Sequence, residues 1–407
     1  MKKTLHAAVI GLTLASAAQA AVEVEFWSNS LSPKFDGVMT QLTKEFNASQ
    51  KDIQAKWVDV TWDTYQTRVI AAVAAGRQPG LINITVPWMA QFAQKKIIQP
   101  IDISTFQSVY TEGALKDVSY EGKTYGMPWY NQVPVLIYNK AILDKAGVTA
   151  LPRNTDEMLA AARLIKQKTG VVGFVPKMND EGVTGIFMME GLPILQNGKA
   201  VFNGPQHVAL LEKYAKAVKE GVIPPDLFKD TFEAEIAGFG SGRYAMIATA
   251  PSALIRIKND APKVYANAAV APYPNKILPG NLFMWSVLQG YAHKEAAIKL
   301  GQFLTSDKAQ LTFSKATETT MPSTKVALAD PYFMAGQNSK DAATAGGAVA
   351  ATTGGAARTL NVSGLPDEAG MMKALSTALE AAVSGRQPAK AALDQAVAYW
   401  NAQLGKK

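Results

Sequence analysis

Four tryptophans and two tyrosines lie close to side chains that hydrogen-bond well. Trp129-Tyr130 runs straight into Asn131-Gln132, Trp62 precedes Tyr65 by three positions, and Trp88 and Trp285 follow or occupy apolar runs. Asn179-Asp180-Glu181 and Thr249-Ala250-Pro251-Ser252 add further polar groups after apolar stretches. An indole or phenol ring offers a wide, flat contact at low entropic cost, and a planar amide or carboxylate pairs hydroxyls. A sugar ring presents the matching surfaces, an apolar C–H face and a rim of hydroxyls. Core packing is the commoner fate of a large aromatic. Trp27 and Tyr138, inside strands, and Trp400, on a terminal helix, are read that way. Trp62, Trp88 and Trp285 fit either fate.

Catalytic and metal chemistry find little support. The three histidines, His6, His207 and His293, have no metal spacing, and the chain has no cysteine. There is no nucleophile elbow, P-loop or dinucleotide-binding glycine fingerprint. Asp63, Asp180 and Glu181 are too few to mark the facing pair that a glycoside hydrolase needs. No enzyme activity, metal or cofactor is expected; a secreted glycoside hydrolase and an adhesive exported protein remain the alternatives. The formal charge is +8, or +6 without Lys2 and Lys3, but the basic residues are scattered and form no run. Nucleic acid is therefore not expected as a partner.

The elements that must position these side chains follow from periodicity. Lys2-Lys3, an apolar run over 7–18 and Ala18-Gln19-Ala20 read as a signal peptide over 1–20, with export to the periplasm. The run is too short to span a bilayer, and no cysteine follows it to carry lipid. The remaining 387 residues exceed one ordinary core, so two domains are expected. Val22–Trp27, Ile53–Val60 and Leu81–Val86 read as strands separated by amphipathic helices, the pattern of an α/β fold with a parallel sheet. Trp27, Trp62 and Trp88 each fall at or just past a strand end, where ligands bind in such sheets. Further strands are expected at Val133–Tyr138, Val171–Val175, Tyr244–Thr249, Val270–Pro274 and Phe283–Leu288. A helix capped by Thr155 and one over Asn203–Glu220 fall between them, and two helices close the chain. Residues 341–357, rich in Ala, Gly and Thr, read as a surface segment of weak structure.

The ordered set Tyr120-Glu121-Gly122-Lys123-Thr124-Tyr125-Gly126-Met127-Pro128, Leu136-Ile137-Tyr138-Asn139-Lys140, Phe239-x-Ser241-Gly242-Arg243 and Phe303-Leu304-Thr305-Ser306 followed by Met321-Pro322 resembles the extracellular solute-binding proteins of carbohydrate ABC importers. Within that family the chain is most similar to the sn-glycerol-3-phosphate-binding proteins, through Phe26-Trp27, Pro134–Lys140, Pro272-Tyr273 and Ala391-Ala392-Leu393-Asp394. Tyr65 matches a ligand-contacting tyrosine. Val86-Pro87, Gln132 and Leu328 replace other contacts, and the phosphate-meeting arginine has no clear counterpart, Arg358 needing a gap. The resemblance implies a periplasmic-binding-protein-like α/β fold: two lobes joined by hinge strands with the ligand cleft between them. The lobes would be 21–130 with 278–322, and 131–277 with 323–407. Crossings would fall near Met127–Val133, Lys276–Phe283 and Thr320–Ser323. The cleft would then gather Trp62, Tyr65, Trp88, Trp129, Tyr130, Asn131, Gln132, Asn179, Ser252 and Trp285. A monomer is implied that captures a carbohydrate or polyol and hands it to permease subunits of the inner membrane. A glycerol phosphate or glycerophosphodiester is the alternative ligand.

Overall fold

The computed structural model describes residues 21–406 apart from 177, 179–182, 230–231, 276, 337, 355–356, 361 and 363. The signal-peptide reading of 1–20 and the expectations for Asn179, Asp180 and Glu181 lie outside the described residues.

Setting aside two short hairpins, the strands are β1 (Val22–Asn29), β2 (Ile53–Val60), β3 (Leu81–Thr85), β4 (Met127–Gln132), β5 (Val135–Asn139), β6 (Val172–Val175), β7 (Tyr244–Thr249), β8 (Ala268–Pro272), β9 (Pro279–Val287), β10 (Met321–Pro322) and β11 (Arg358–Thr359). They form two large sheets, one per lobe. The N-terminal lobe has the order β10-β4-β9-β3-β1-β2, with β11 paired to β9. In it β1 runs parallel to β2 from Val22↔Ile53 to Asn29↔Val60 and parallel to β3 at Phe26↔Leu81. Helices on both faces cover it, so β3 is apolar and buried almost throughout. Val38, Met39, Leu42 and Phe46 bury one stripe of the helix Asp36–Ser49 against Phe26 and Trp285. The other face packs on Tyr65, Val69, Trp88 and Phe92.

The second sheet has the order β8-β5-β7-β6. Its partners are Thr249↔Val135, Pro272↔Val135 and Val175↔Ile247. Helices Thr155–Thr169, Pro205–Lys219, Glu368–Val383 and Ala389–Leu404 cover one face, with Leu211, Tyr214, Leu379 and Trp400 buried between them. The chain passes between lobes from β4 to β5 and from β8 to β9. After β10 the chain leaves the first sheet for the helix 342–354 against β8, and it returns to pair β11 with β9 before the helix Glu368–Val383.

These registers define the cleft. The N-terminal lobe presents the ends of β1, β2 and β3, the start of β9 and the end of β4. The C-terminal lobe presents the ends of β6, β7 and β8. Ser30, Trp62, Val86–Trp88, Asn131, Gln132 and Phe283 thus border it on one side, and Pro176, Thr249–Ser252 and Tyr273–Asn275 on the other.

Two local readings are corrected. Residues 342–354 form a helix, with Ala342, Gly346, Gly347, Ala348, Ala350 and Ala351 buried. Alanine favours helix, and the small side chains let this segment lie close against β8. The helix starting at Thr155 is capped by Asn154, whose Oδ1 accepts the N–H of Glu157 at 2.9 Å; Thr155 is its first, buried residue.

Candidate functional site

The N-terminal wall rests on a network of backbone and side-chain bonds at the strand ends. Asp59, near the end of β2, accepts from Ser28 Oγ at 2.5 Å and from the N–H groups of Leu31 and Ser32 at 3.1 Å each. This fixes the loop after β1. Ser30 sits there with φ +48°, and its Oγ accepts the N–H of Trp62 at 2.7 Å, pinning the first turn of the helix Trp62–Ala74. Asn29 Nδ2 donates to the Asn83 carbonyl at 3.0 Å, tying β1 to β3.

The rings that this network holds fall into two groups. Trp62 is half-buried, its centroid 4.4 Å from Trp88 and 6.3 Å from Phe283. Trp88 is 8% exposed and stacks at 5.7 Å on Tyr65. These two indoles stand at the cleft end of the sheet. Asn131 and Gln132, at the end of β4, are half-buried there, as is Ser252, which opens the helix Ser252–Asp260 after β7. Asn131 Oδ1 is buried with no hydrogen-bond partner among the described residues.

Four predicted site residues are placed instead inside the N-terminal lobe. Trp129 is 0% exposed and packs 4.4 Å from Phe313 and 4.8 Å from Trp285, which is also 0% exposed and meets Phe26 edge-on at 5.6 Å. The cause is a bulge in the ladder: Tyr130 pairs with Phe283 and Pro128 with Met284, so Trp129 is the extra residue and packs into the same core as its neighbour Tyr130. Tyr130 is 4% exposed, between Phe283 at 4.6 Å and Phe313 at 5.2 Å, and burial pushes its phenol well up. Tyr65 is fully buried. Its hydroxyl donates to the Trp27 carbonyl at 2.8 Å and accepts the Asn83 N–H at 3.0 Å, so it serves the sheet. Burial raises this phenol too, despite the Asn83 bond.

The C-terminal wall holds residues that sequence reasoning did not single out as site residues. Thr155, Tyr214, Tyr273, Asn275 and Glu190 line a pocket at the cleft end of β6 and β8. Thr155, Tyr214 and Tyr273 carry cap, helix and family-motif signals that do not point to a site, and Glu190 and Asn275 carry none; Glu190 follows the short helix Gly185–Met188 and its turn. No group of three metal-ligating side chains occurs among the described residues.

The two-lobed α/β architecture agrees with what the comparisons return. The family model of the bacterial extracellular solute-binding proteins matches residues 30–311. The chain belongs to that family. A protein of Brucella abortus (strain 2308) assigned as a binding protein is 28% identical over 280 residues, 67% of this chain and 68% of its own. The sn-glycerol-3-phosphate-binding periplasmic protein UgpB of Escherichia coli O1:K1 / APEC is 25% identical over 342 residues, 75% of this chain and 74% of its own. Among solved structures, one assigned as an oligosaccharide periplasmic-binding protein from Synechococcus sp. MITs9220 superposes with a TM-score of 0.85 at 22% identity, covering 94% of this chain and 99% of that one. The fold is that of a two-lobed periplasmic binding protein. No helix among the described residues is long and apolar enough to cross a membrane.

Proposed function

We propose that this chain is the substrate-binding component of an ABC importer, which captures a sugar or sugar-derived polyol in the periplasm and delivers it to the permease of the inner membrane. The reading rests on one observation: the half-buried Trp62 ring, backed by Trp88, at the mouth of a cleft whose floor carries Asn131 and Gln132. The indole meets the sugar's apolar face, and the amides, with Ser252 across the cleft, meet its hydroxyls. Tyr65, Trp129, Tyr130 and Trp285 act indirectly, as the packed bed that keeps the cleft wall rigid. Only the closed arrangement touches ligand from both lobes, so ligand shifts the population toward closure. The chain acts as a monomer, and binding leaves the ligand chemically unchanged.

A second reading, capture of sn-glycerol-3-phosphate, is favoured by the similarity to UgpB. Thermal unfolding with a panel of neutral saccharides, polyols and glycerol phosphates separates the two. A saccharide that raises Tm and is recovered intact supports the first reading; a rise with glycerol phosphates alone supports the second. Trp62→Ala should leave the apo Tm within about 2 °C, since a half-exposed ring is removed, and weaken binding at least about tenfold, ~1.4 kcal/mol. Equal affinities would remove Trp62 from the site.

A further inference from the structure

The pocket in the C-terminal wall is built around one carboxylate. Glu190 Oε1 accepts from Thr155 Oγ1 and from Asn275 Nδ2, the latter at 3.0 Å. Tyr214 lines the same pocket. Two separate segments therefore orient this side chain: the start of the helix Thr155–Thr169 and the passage after β8. Both bonds fall on one oxygen. No hydrogen bond to Oε2 is found among the described residues, and Phe174, Ile186, Met189 and Tyr273 give the pocket its apolar lining. A rigidly held acceptor in an apolar pocket is arranged for a donor that arrives with the ligand.

We propose that Glu190 is the hydroxyl-accepting anchor of the C-terminal lobe and makes the cleft selective for uncharged, hydroxyl-rich ligands over phosphate esters. The assignment rests on the carbohydrate reading above. A ligand hydroxyl donating to Oε2 forms a charge-assisted bond, about twice as strong as a neutral one. A phosphate finds the opposite field. No lysine or arginine among the described residues lines the pocket, Lys177 and Lys276 lying outside them. The charges of Glu190 and Glu235 both act on the buried Tyr273 phenol, helping burial to raise it. The helix N-terminus at Thr155, the one local feature that welcomes an anion, already has Glu190 against it. Like-charge contact is how a site rejects the wrong partner.

The test is calorimetric titration of wild type, Glu190→Gln and Glu190→Ala with the neutral saccharide that most raises Tm and with sn-glycerol-3-phosphate, each variant first checked for unchanged circular dichroism. Wild type should bind the saccharide and show no heat with sn-glycerol-3-phosphate at 10-fold higher concentration. Glu190→Gln should lose about tenfold in saccharide affinity, and Glu190→Ala more. Saccharide affinity unchanged in both variants, or sn-glycerol-3-phosphate bound as tightly as saccharide, overturns the role of Glu190 and leaves the carbohydrate reading standing or amended. A wild type that binds no member of the saccharide panel overturns both.

Discussion

Trp129 and Trp62 carry the same side chain to opposite ends, and the difference is measurable in stability. Trp129 fills the centre of an aromatic cluster with Tyr130, Trp285 and Phe313. Trp129→Ala should lower unfolding free energy by about 3–5 kcal/mol, as large core truncations do, in a urea titration. A loss below about 1 kcal/mol would mean that the ring is not core. Tyr65→Phe deletes the hydroxyl that bridges the Trp27 carbonyl and the Asn83 N–H, leaving both buried groups without that partner. A loss of about 1–3 kcal/mol is expected, with ligand affinity unchanged; a selective loss of affinity would return Tyr65 to the cleft. The residue types that suit a sugar were legible in the sequence. Which rings face it was not, because Trp129 is the extra residue of a bulge between β4 and β9, some 150 residues on, and nothing in Met-Pro-Trp-Tyr-Asn-Gln announces that partner.

The strands β1, β2 and β3 could be read with good bounds, since alternation and β-branched content are local signals. Residues 342–354 could not. A run of Ala, Gly and Thr has no amphipathic stripe, yet its small side chains are what allow a helix to approach β8 so closely, with Ala348 and Ala350 buried. A similar close approach governs β6. A Cβ placed on Gly173 would stand 2.3 Å from Ala162 Cα on the covering helix. Backbone would have to move, so Gly173→Ala should cost at least about 1–3 kcal/mol and lower Tm by several degrees in calorimetry. A neutral result would show that the helix Thr155–Thr169 stands off the sheet.

Beyond the hinge strands, a direct bond joins the two lobes. Gln91, on the helix Val86–Gln94 of the N-terminal lobe, donates to Glu368 Oε1 at 2.9 Å, at the start of the helix Glu368–Val383 of the C-terminal lobe. Burial raises the Glu368 carboxyl above its ordinary range, although the Gln91 bond and Lys95 act to lower it. Because the folded value is raised, the stability linked to this group is fully present below the ordinary glutamate value and is lost as pH rises through the folded one. Glu368→Gln lacks this loss. Its unfolding free energy relative to wild type should therefore climb between pH 4 and pH 8; a difference that stays flat would mean that the carboxyl titrates normally. Two lobes, and the order of elements within them, were legible because strand and helix signals repeat along the chain. The pocket around Glu190 was not, because Thr155, Glu190, Tyr214 and Asn275 are spread over more than a hundred residues and meet only in three dimensions.

Closure of two lobes around a neutral saccharide is tested most directly by small-angle X-ray scattering at saturating ligand, with affinity fixed beforehand by calorimetry. The radius of gyration of wild type should fall on addition of the saccharide, and Trp62→Ala should need at least about tenfold more saccharide for the same fall. Tight binding with an unchanged radius in wild type would contradict capture by closure.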